Sequence, residues 1–174
     1  MGKITVETCE IEGLKVITPT VFGDERGYFM ETYNYNDYKE AGIDQEFVQD
    51  NQSASKKGVL RGLHFQIHYP QDKLVRVLSG EVFDVAVDLR EGSATYGKWF
   101  GVLLSAENKK QFSDYAEFAY KCTDFYHPND EGGLAWNDPA IGVEWPMPQG
   151  MTEKDLIISE KDHRWGSLRD LKKD

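Results

Sequence analysis

Val82-Phe83-Asp84-Val85-Ala86-Val87-Asp88-Leu89-Arg90 alternates with a period of two. Phe83, Val85, Val87 and Leu89 fall on one face, and Asp84, Ala86, Asp88 and Arg90 on the other. That period is the mark of a β-strand, because successive side chains along an extended backbone point to opposite sides. Similar short runs occupy Lys15–Thr18, Tyr28–Tyr33, Val59–Ile67, Lys73–Leu78, Trp99–Leu104 and Glu117–Cys122. Turn signals separate them: Gly23-Asp24-Glu25-Arg26-Gly27, Ser79-Gly80-Glu81, Glu91-Gly92-Ser93 and His127-Pro128-Asn129-Asp130. Glycine, proline and short polar side chains punctuate strands in this way. Many short strands at such spacing predict an all-β sandwich or barrel.

Helical content is expected to be small. Asn36–Ala41 suits a short helix stopped by Gly42, and the tail from Ser159 onward suits one or two turns. No internal repeat, low-complexity segment or linker interrupts the chain, so residues 1–174 are expected to form a single domain.

Twenty Lys and Arg against thirty Asp and Glu give a formal charge of −10. An acidic chain is poorly suited to sequence-independent binding of nucleic acid or an anionic membrane, so an anionic ligand must be held by locally placed cations. Apolar residues make up 40% and aromatics 13%, which excludes a disordered chain. No apolar run approaches the roughly 20 residues of a spanning helix. Met1–Glu7 holds no apolar signal region, so a cytoplasmic location is expected. Cys9 and Cys122 are far apart, belong to no C-x-x-C pair, and are expected to be reduced thiols on strands.

Four histidines are the first candidates for chemistry. His64 and His68 have a helical metal-pair spacing, but on a strand they would lie about 13 Å apart. The position two after His64 is Gln66, so no H-x-H pair forms and no metal site is expected. Gly58–Gln66 places an arginine, two glycines and His64 among apolar neighbours. Such polar residues are costly in a purely structural strand and suit the wall of a ligand cavity. His64 is thus either a hydrogen-bonded core residue or a catalyst. Lys73 reads as an edge lysine that discourages aggregation, or as a cation at a cavity mouth. Alternation sends Phe118, Tyr120 and Cys122 to one face, and a buried tyrosine hydroxyl wants a core neighbour or a substrate as partner.

Several motifs occur in order: Asp24-Glu25-Arg26-Gly27-Tyr28-Phe29, Phe47-Val48-Gln49-Asp50-Asn51, Leu60-Arg61-Gly62-Leu63-His64-Phe65-Gln66, Val82–Arg90, Trp136-Asn137-Asp138-Pro139 and Ile158-Ser159-Glu160-Lys161-Asp162. Together they resemble the dTDP-4-dehydrorhamnose 3,5-epimerases over nearly the whole chain. The resemblance implies a cupin-type double-stranded β-helix, or jelly roll, with a few short helices. It also implies a homodimer, with the segment around Arg26 crossing to the other subunit. It implies inversion of C3 and C5 of dTDP-4-dehydro-6-deoxyglucose, on the way to dTDP-rhamnose, with no metal or other cofactor.

By the same resemblance His64 is the general base, oriented by Asp162. Lys73 faces the C4 carbonyl oxygen, and Tyr120 is the acid on the opposite sugar face. Arg26, Phe29, Glu31, Gln49, Asn51, Arg61 and Tyr126 match positions that hold the nucleotide or sugar. The alternatives are a relative acting at C3 or C5 alone or isomerising the keto group, and a non-catalytic sugar-nucleotide-binding cupin.

One stretch departs from the family. Its members carry a segment like I-P-x-G-F-A-H-G-F-L before the Tyr120 strand, whereas here Asn108–Phe112 runs directly into Ser113–Ala116. By the resemblance, about a dozen residues, the length of a full strand, are missing between Phe112 and Ser113, including a histidine near the substrate. The intact flanking motifs favour an omitted segment over a true deletion.

Overall fold

The computed structural model describes residues 4–106 and 114–171; the junction between Phe112 and Ser113 lies outside the described residues. The chain divides into two compact units, Met1–Glu46 and Phe47–Asp174.

In the first unit, β1 (Ile4–Thr8) pairs antiparallel with β2 (Lys15–Pro19), and β3 (Val21–Asp24) pairs with β4 (Gly27–Met30). The predicted Gly23–Gly27 turn is the hairpin between β3 and β4, with Asp24 opposite Gly27 and Glu25-Arg26 as its tip. The predicted strand Tyr28–Tyr33 stops at Met30. Helix α1 covers Tyr35–Glu40. It starts where the Asn34 side chain accepts the Asn36 N–H at 3.0 Å, one residue before the predicted start. It ends before Gly42, whose φ of 74° is open to a residue without a Cβ. Tyr38, 4% exposed, anchors the helix with its ring 5.0 Å from that of Tyr33.

The second unit carries the remaining strands. These are β5 (Gln49–Lys56), β6 (Val59–Leu60), β7 (His64–Gln66), β8 (Lys73–Ser79), β9 (Glu81–Val87), β10 (Trp99–Ser105), β11 (Tyr115–Cys122), β12 (Glu131–Gly133) and β13 (Ile157–Ile158). Single 3₁₀ turns cover Glu153–Asp155 and Asp162–Arg164, the latter within the tail where one or two turns were expected. The central sheet has the order β5-β11-β8 and is antiparallel throughout. Three two-stranded ladders flank it in sequence: β9 with β10, β7 with β12, and the parallel pair β6 with β13. The all-β expectation holds.

In the second unit two predicted runs are broken or cut short. Val59–Ile67 is broken at Arg61-Gly62-Leu63, where Gly62 adopts φ 115°, outside the strand region. The Val82–Arg90 run ends at Val87 because the Asp88 carboxylate folds the chain into a turn. It accepts Arg90 Nε at 2.9 Å, Ser93 Oγ at 2.6 Å and Thr95 Oγ1 at 2.6 Å. Cys9 lies just past β1 and Cys122 at the end of β11, both as free thiols.

β9 lays Phe83 over Gly101 of β10; a Cβ there would sit 2.4 Å from the Phe83 ring, so the close approach requires glycine. Val87 and Leu89, from the quoted run, pack with Trp99 against the core of Leu134, Ile141 and Leu168. Leu134 is 1% exposed, and burying such a side chain contributes about 1.5–3 kcal/mol. The core clamps the C-terminal tail: Leu168 N–H donates to the buried Asp138 carboxylate at 2.6 Å, and Ala135 N–H to the Gly166 carbonyl at 2.8 Å. That clamp holds the segment carrying Asp162 against the strands. Among the described residues, no helix is long and apolar enough to cross a membrane.

Candidate active site

Strand register builds the site. Gln49 of β5, Cys122 of β11 and Lys73 of β8 stand side by side in one row; Asn51, Tyr120 and Val75 form the next. Residues directly opposite in an antiparallel ladder share a face. The side chains confirm it: Gln49 Nε2 donates to Asn51 Oδ1 at 3.1 Å, Asn51 Nδ2 to Cys122 Sγ at 3.6 Å, and Lys73 Nζ lies 5.9 Å from the Tyr120 ring centroid. Phe118 and Tyr120 share the face, their ring centroids 5.9 Å apart. Lys73 is therefore the cation of a polar wall as well as the first residue of its strand.

Further along the same face, β5 presents Ser53 and Ser55, both half-buried. Arg61 Nε donates to Ser55 Oγ at 3.1 Å, which ties the break after β6 to this wall. Tyr126 is held by its backbone N–H, donated to Gln49 Oε1 at 3.0 Å, while about half of its residue surface stays open. Arg61 and Tyr126 both lie within electrostatic reach of the Tyr120 hydroxyl. Burial raises the Tyr120 pKa above its ordinary value, with Cys122 and Tyr126 adding to the rise and Arg61 opposing it. The phenol is thus held in its protonated, proton-donating form.

His64 begins β7, opposite Gly133 of β12. Its ring is open to solvent yet closely surrounded by protein, and the lost hydration lowers its pKa below the ordinary imidazole value. Asp162 opposes that fall, Lys73 and Lys161 add to it, and Glu131 opposes it. The result is an imidazole kept neutral, able to accept a proton, within electrostatic reach of a carboxylate that favours the cation it then becomes. Asp162 is 5% exposed; its backbone N–H donates to Ser159 Oγ at 3.1 Å, and its Oδ1 accepts the Trp165 indole N–H at 3.3 Å.

Eight of the predicted site residues thus lie in the second unit and are linked by contacts or charge coupling: His64, Asp162, Lys73, Tyr120, Gln49, Asn51, Arg61 and Tyr126. Arg26, Phe29 and Glu31 belong to the first. Arg26 is exposed at the hairpin tip, with its Nε donating to Asp24 at 3.1 Å, and Phe29 on β4 is 61% exposed. Glu31 buries Oε2 with no hydrogen-bond partner among the described residues.

Three charged groups escaped the sequence reading. Asp84 on β9 is half-buried beside Lys73; desolvation raises its pKa and Lys73 opposes the rise. A carboxylate inside a Val-Phe-Asp-Val-Ala-Val run was the signal available for it. Glu131 and Lys161 form an ion pair, at 2.8 Å, that acts on His64, and the Lys161 ammonium is also coupled to Tyr126. Nothing local distinguishes that Lys and Glu from a solvated surface pair. Among the described residues, no group of three or more His, Cys, Asp and Glu is placed to hold a metal ion. His68 lies beyond β7 and pairs with Asp130 at 2.7 Å instead of joining His64.

The chain matches the family model described as dTDP-4-dehydrorhamnose 3,5-epimerase over residues 8–170. It is 51% identical to the enzyme of that name from Methanothermobacter thermautotrophicus, covering 92% of each chain, and 49% identical to that of Escherichia coli K12, covering 93% of each. A crystal structure of dTDP-6-deoxy-D-glucose-3,5-epimerase from Legionella pneumophila, in complex with dTDP-4-keto-L-rhamnose, superposes with a TM-score of 0.87 at 45% identity, covering 95% of this chain and 93% of that one. The all-β architecture is accordingly of the cupin type. With strands, register and polar wall in agreement, the chain belongs to the dTDP-4-dehydrorhamnose 3,5-epimerase family.

Proposed function

We propose that this chain inverts C3 and C5 of dTDP-4-dehydro-6-deoxyglucose to give dTDP-4-dehydro-L-rhamnose. The observation that carries the reading is the convergence of a cation and a phenol, Lys73 over the Tyr120 ring, on a site where neutral His64 is coupled to both Lys73 and buried Asp162. Both reacting carbons flank the C4 ketone, so loss of either proton leaves an enolate whose charge rests on O4. A fixed ammonium beside O4 is worth most in that transition state, because the charge develops there. His64 takes the proton, and Asp162 steadies the imidazolium that forms. Tyr120, held protonated, delivers a proton to the opposite face and completes the inversion.

Arg61, Gln49, Asn51 and Tyr126 line the same wall and are suited to the nucleotide and sugar. Arg26, Phe29 and Glu31 are proposed for the same ligand, carried on or beside the β3–β4 hairpin. That hairpin exposes Val21, Phe22, Tyr28 and Phe29, which supports a homodimer in which the Arg26 segment crosses to the other subunit. A single cupin epimerase domain that is cytoplasmic and needs no cofactor completes the reading.

Incubation with dTDP-4-dehydro-6-deoxyglucose in deuterated water, read by NMR, tests it. Deuterium at both C3 and C5 is expected. Label at one carbon would replace the reading with a monoepimerase or ketoisomerase, and bound but unlabelled substrate would leave a non-catalytic binder.

A further inference from the structure

We infer that Trp165 is a positioning residue for Asp162, an inference that rests on the His64–Asp162 reading above. The indole N–H donates to Asp162 Oδ1 at 3.3 Å, three residues back across the 3₁₀ turn. Asp162 is 5% exposed, so water is largely denied that oxygen. An indole can only donate; it cannot accept a proton from the carboxylate or carry charge. It therefore occupies one oxygen and leaves the other to the imidazole.

The ring itself is held by a vacancy in the sequence. Gly133 is the residue opposite His64 in the β7–β12 ladder, and a Cβ on it would stand 2.3 Å from Trp165 Cδ2 and 2.5 Å from Cε2. The absence of a side chain at Gly133 is what lets the indole lie flat against the strand that faces His64. Immediately after it, the Gly166 carbonyl accepts Ala135 N–H at 2.8 Å and Leu168 N–H donates to Asp138 at 2.6 Å, so the chain that follows the indole is pinned. Base, carboxylate and indole are thereby built on one rigid patch. Glu131 and Lys161 flank it as an ion pair, but neither donates to Asp162 Oδ1.

Trp165 as mere cover for Gly133 would serve equally well with any flat ring, and that difference is measurable. Trp165→Phe keeps a ring on Gly133 and removes the N–H. Its kcat is expected to fall about tenfold with KM changed less than twofold, because a displaced partner costs rate and not ground-state binding. Gly133→Ala, which forces the ring away, is expected to show the same kcat-only loss. Should Trp165→Phe not fold, benzothienylalanine at position 165, which puts sulfur in place of the N–H, makes the same comparison. Wild-type kcat in the N–H-free variants, while Asp162→Asn loses activity, would overturn the role of Trp165 and leave the dyad standing. Wild-type turnover by Asp162→Asn itself would overturn the dyad and this inference with it.

Discussion

Lys73 Nζ stands 5.9 Å from the centroid of the Tyr120 ring, the two side chains reaching toward each other diagonally across the β8–β11 ladder. Neither strand alone places a cation against a phenol; the antiparallel register does. The pair gives the polar wall its two proposed roles, an electrostatic partner for a developing oxyanion and a proton donor beside it. Removing the charge while keeping the length of Lys73 separates them. Lys73→Met is expected to lower kcat by about 10²–10³, the loss typical of one oxyanion-stabilising donor. Steady-state kinetics showing a kcat within threefold of wild type would remove Lys73 from the transition state.

Tyr120→Phe keeps the ring against Phe118 and removes only the hydroxyl. Deuterium exchange from solvent is expected to continue, since His64 still takes the proton, while the yield of inverted product falls. Unchanged product yield would transfer the acid role to another group.

The pH profile follows from the directions of the two shifts. Activity needs neutral His64, whose pKa lies below the ordinary 6.5, so the acid limb of kcat/KM is expected below pH 6.5. Activity also needs protonated Tyr120, whose pKa is raised above 10, so the alkaline limb is expected above pH 10. The result is a broad plateau, since kcat/KM reports the free enzyme. An acid limb above pH 7 would contradict His64 as a desolvated base. His64→Ala is expected to abolish turnover and leave the circular dichroism spectrum of the fold intact.

Asp88 sets stability rather than chemistry. Its buried carboxylate accepts Arg90, Ser93 and Thr95, with Arg90 the largest cause of a pKa held far below the usual carboxylate range. A depressed carboxylate pKa contributes stability above the unfolded value, near 3.8, and that stability is lost as pH falls toward the folded value. Asp88→Ala is expected to cost about 2–3 kcal/mol by removing the acceptor that the Ser93 and Thr95 hydroxyls share. In a chain of this length that is several degrees in Tm. Thermal denaturation at pH 7 checks the size, and the difference between variant and wild type should shrink in acid.

Chelator treatment is expected to leave turnover unchanged, given that the described residues offer no grouped metal ligands. Loss of activity restored by a divalent ion would show that a metal takes part.

The strand Glu81–Val87 was legible because its inward residues are apolar and its period is two. β5, Gln49–Lys56, escaped notice for the opposite reason. Its half-buried face is Gln49, Asn51, Ser53 and Ser55, so alternation in burial is not alternation in hydrophobicity. A strand polar on both sides gives hydropathy no alternation to show. β12 failed similarly: Glu-Gly-Gly carries no strand propensity, and Gly133 is there for the indole of Trp165.

The sequence by itself determined the β class, the turns, and the kinds of group available: an imidazole, an ammonium, a phenol and a carboxylate. These follow from local periodicity and side-chain chemistry, which neighbouring residues suffice to express. Tertiary structure alone decided that Lys73 meets Tyr120, that His64 lies opposite Gly133, and that the Trp165 indole lies over Gly133. Ladder register and the docking of a distant tail join residues far apart in the chain, and those distances are set by pairing and packing, not by spacing along the backbone.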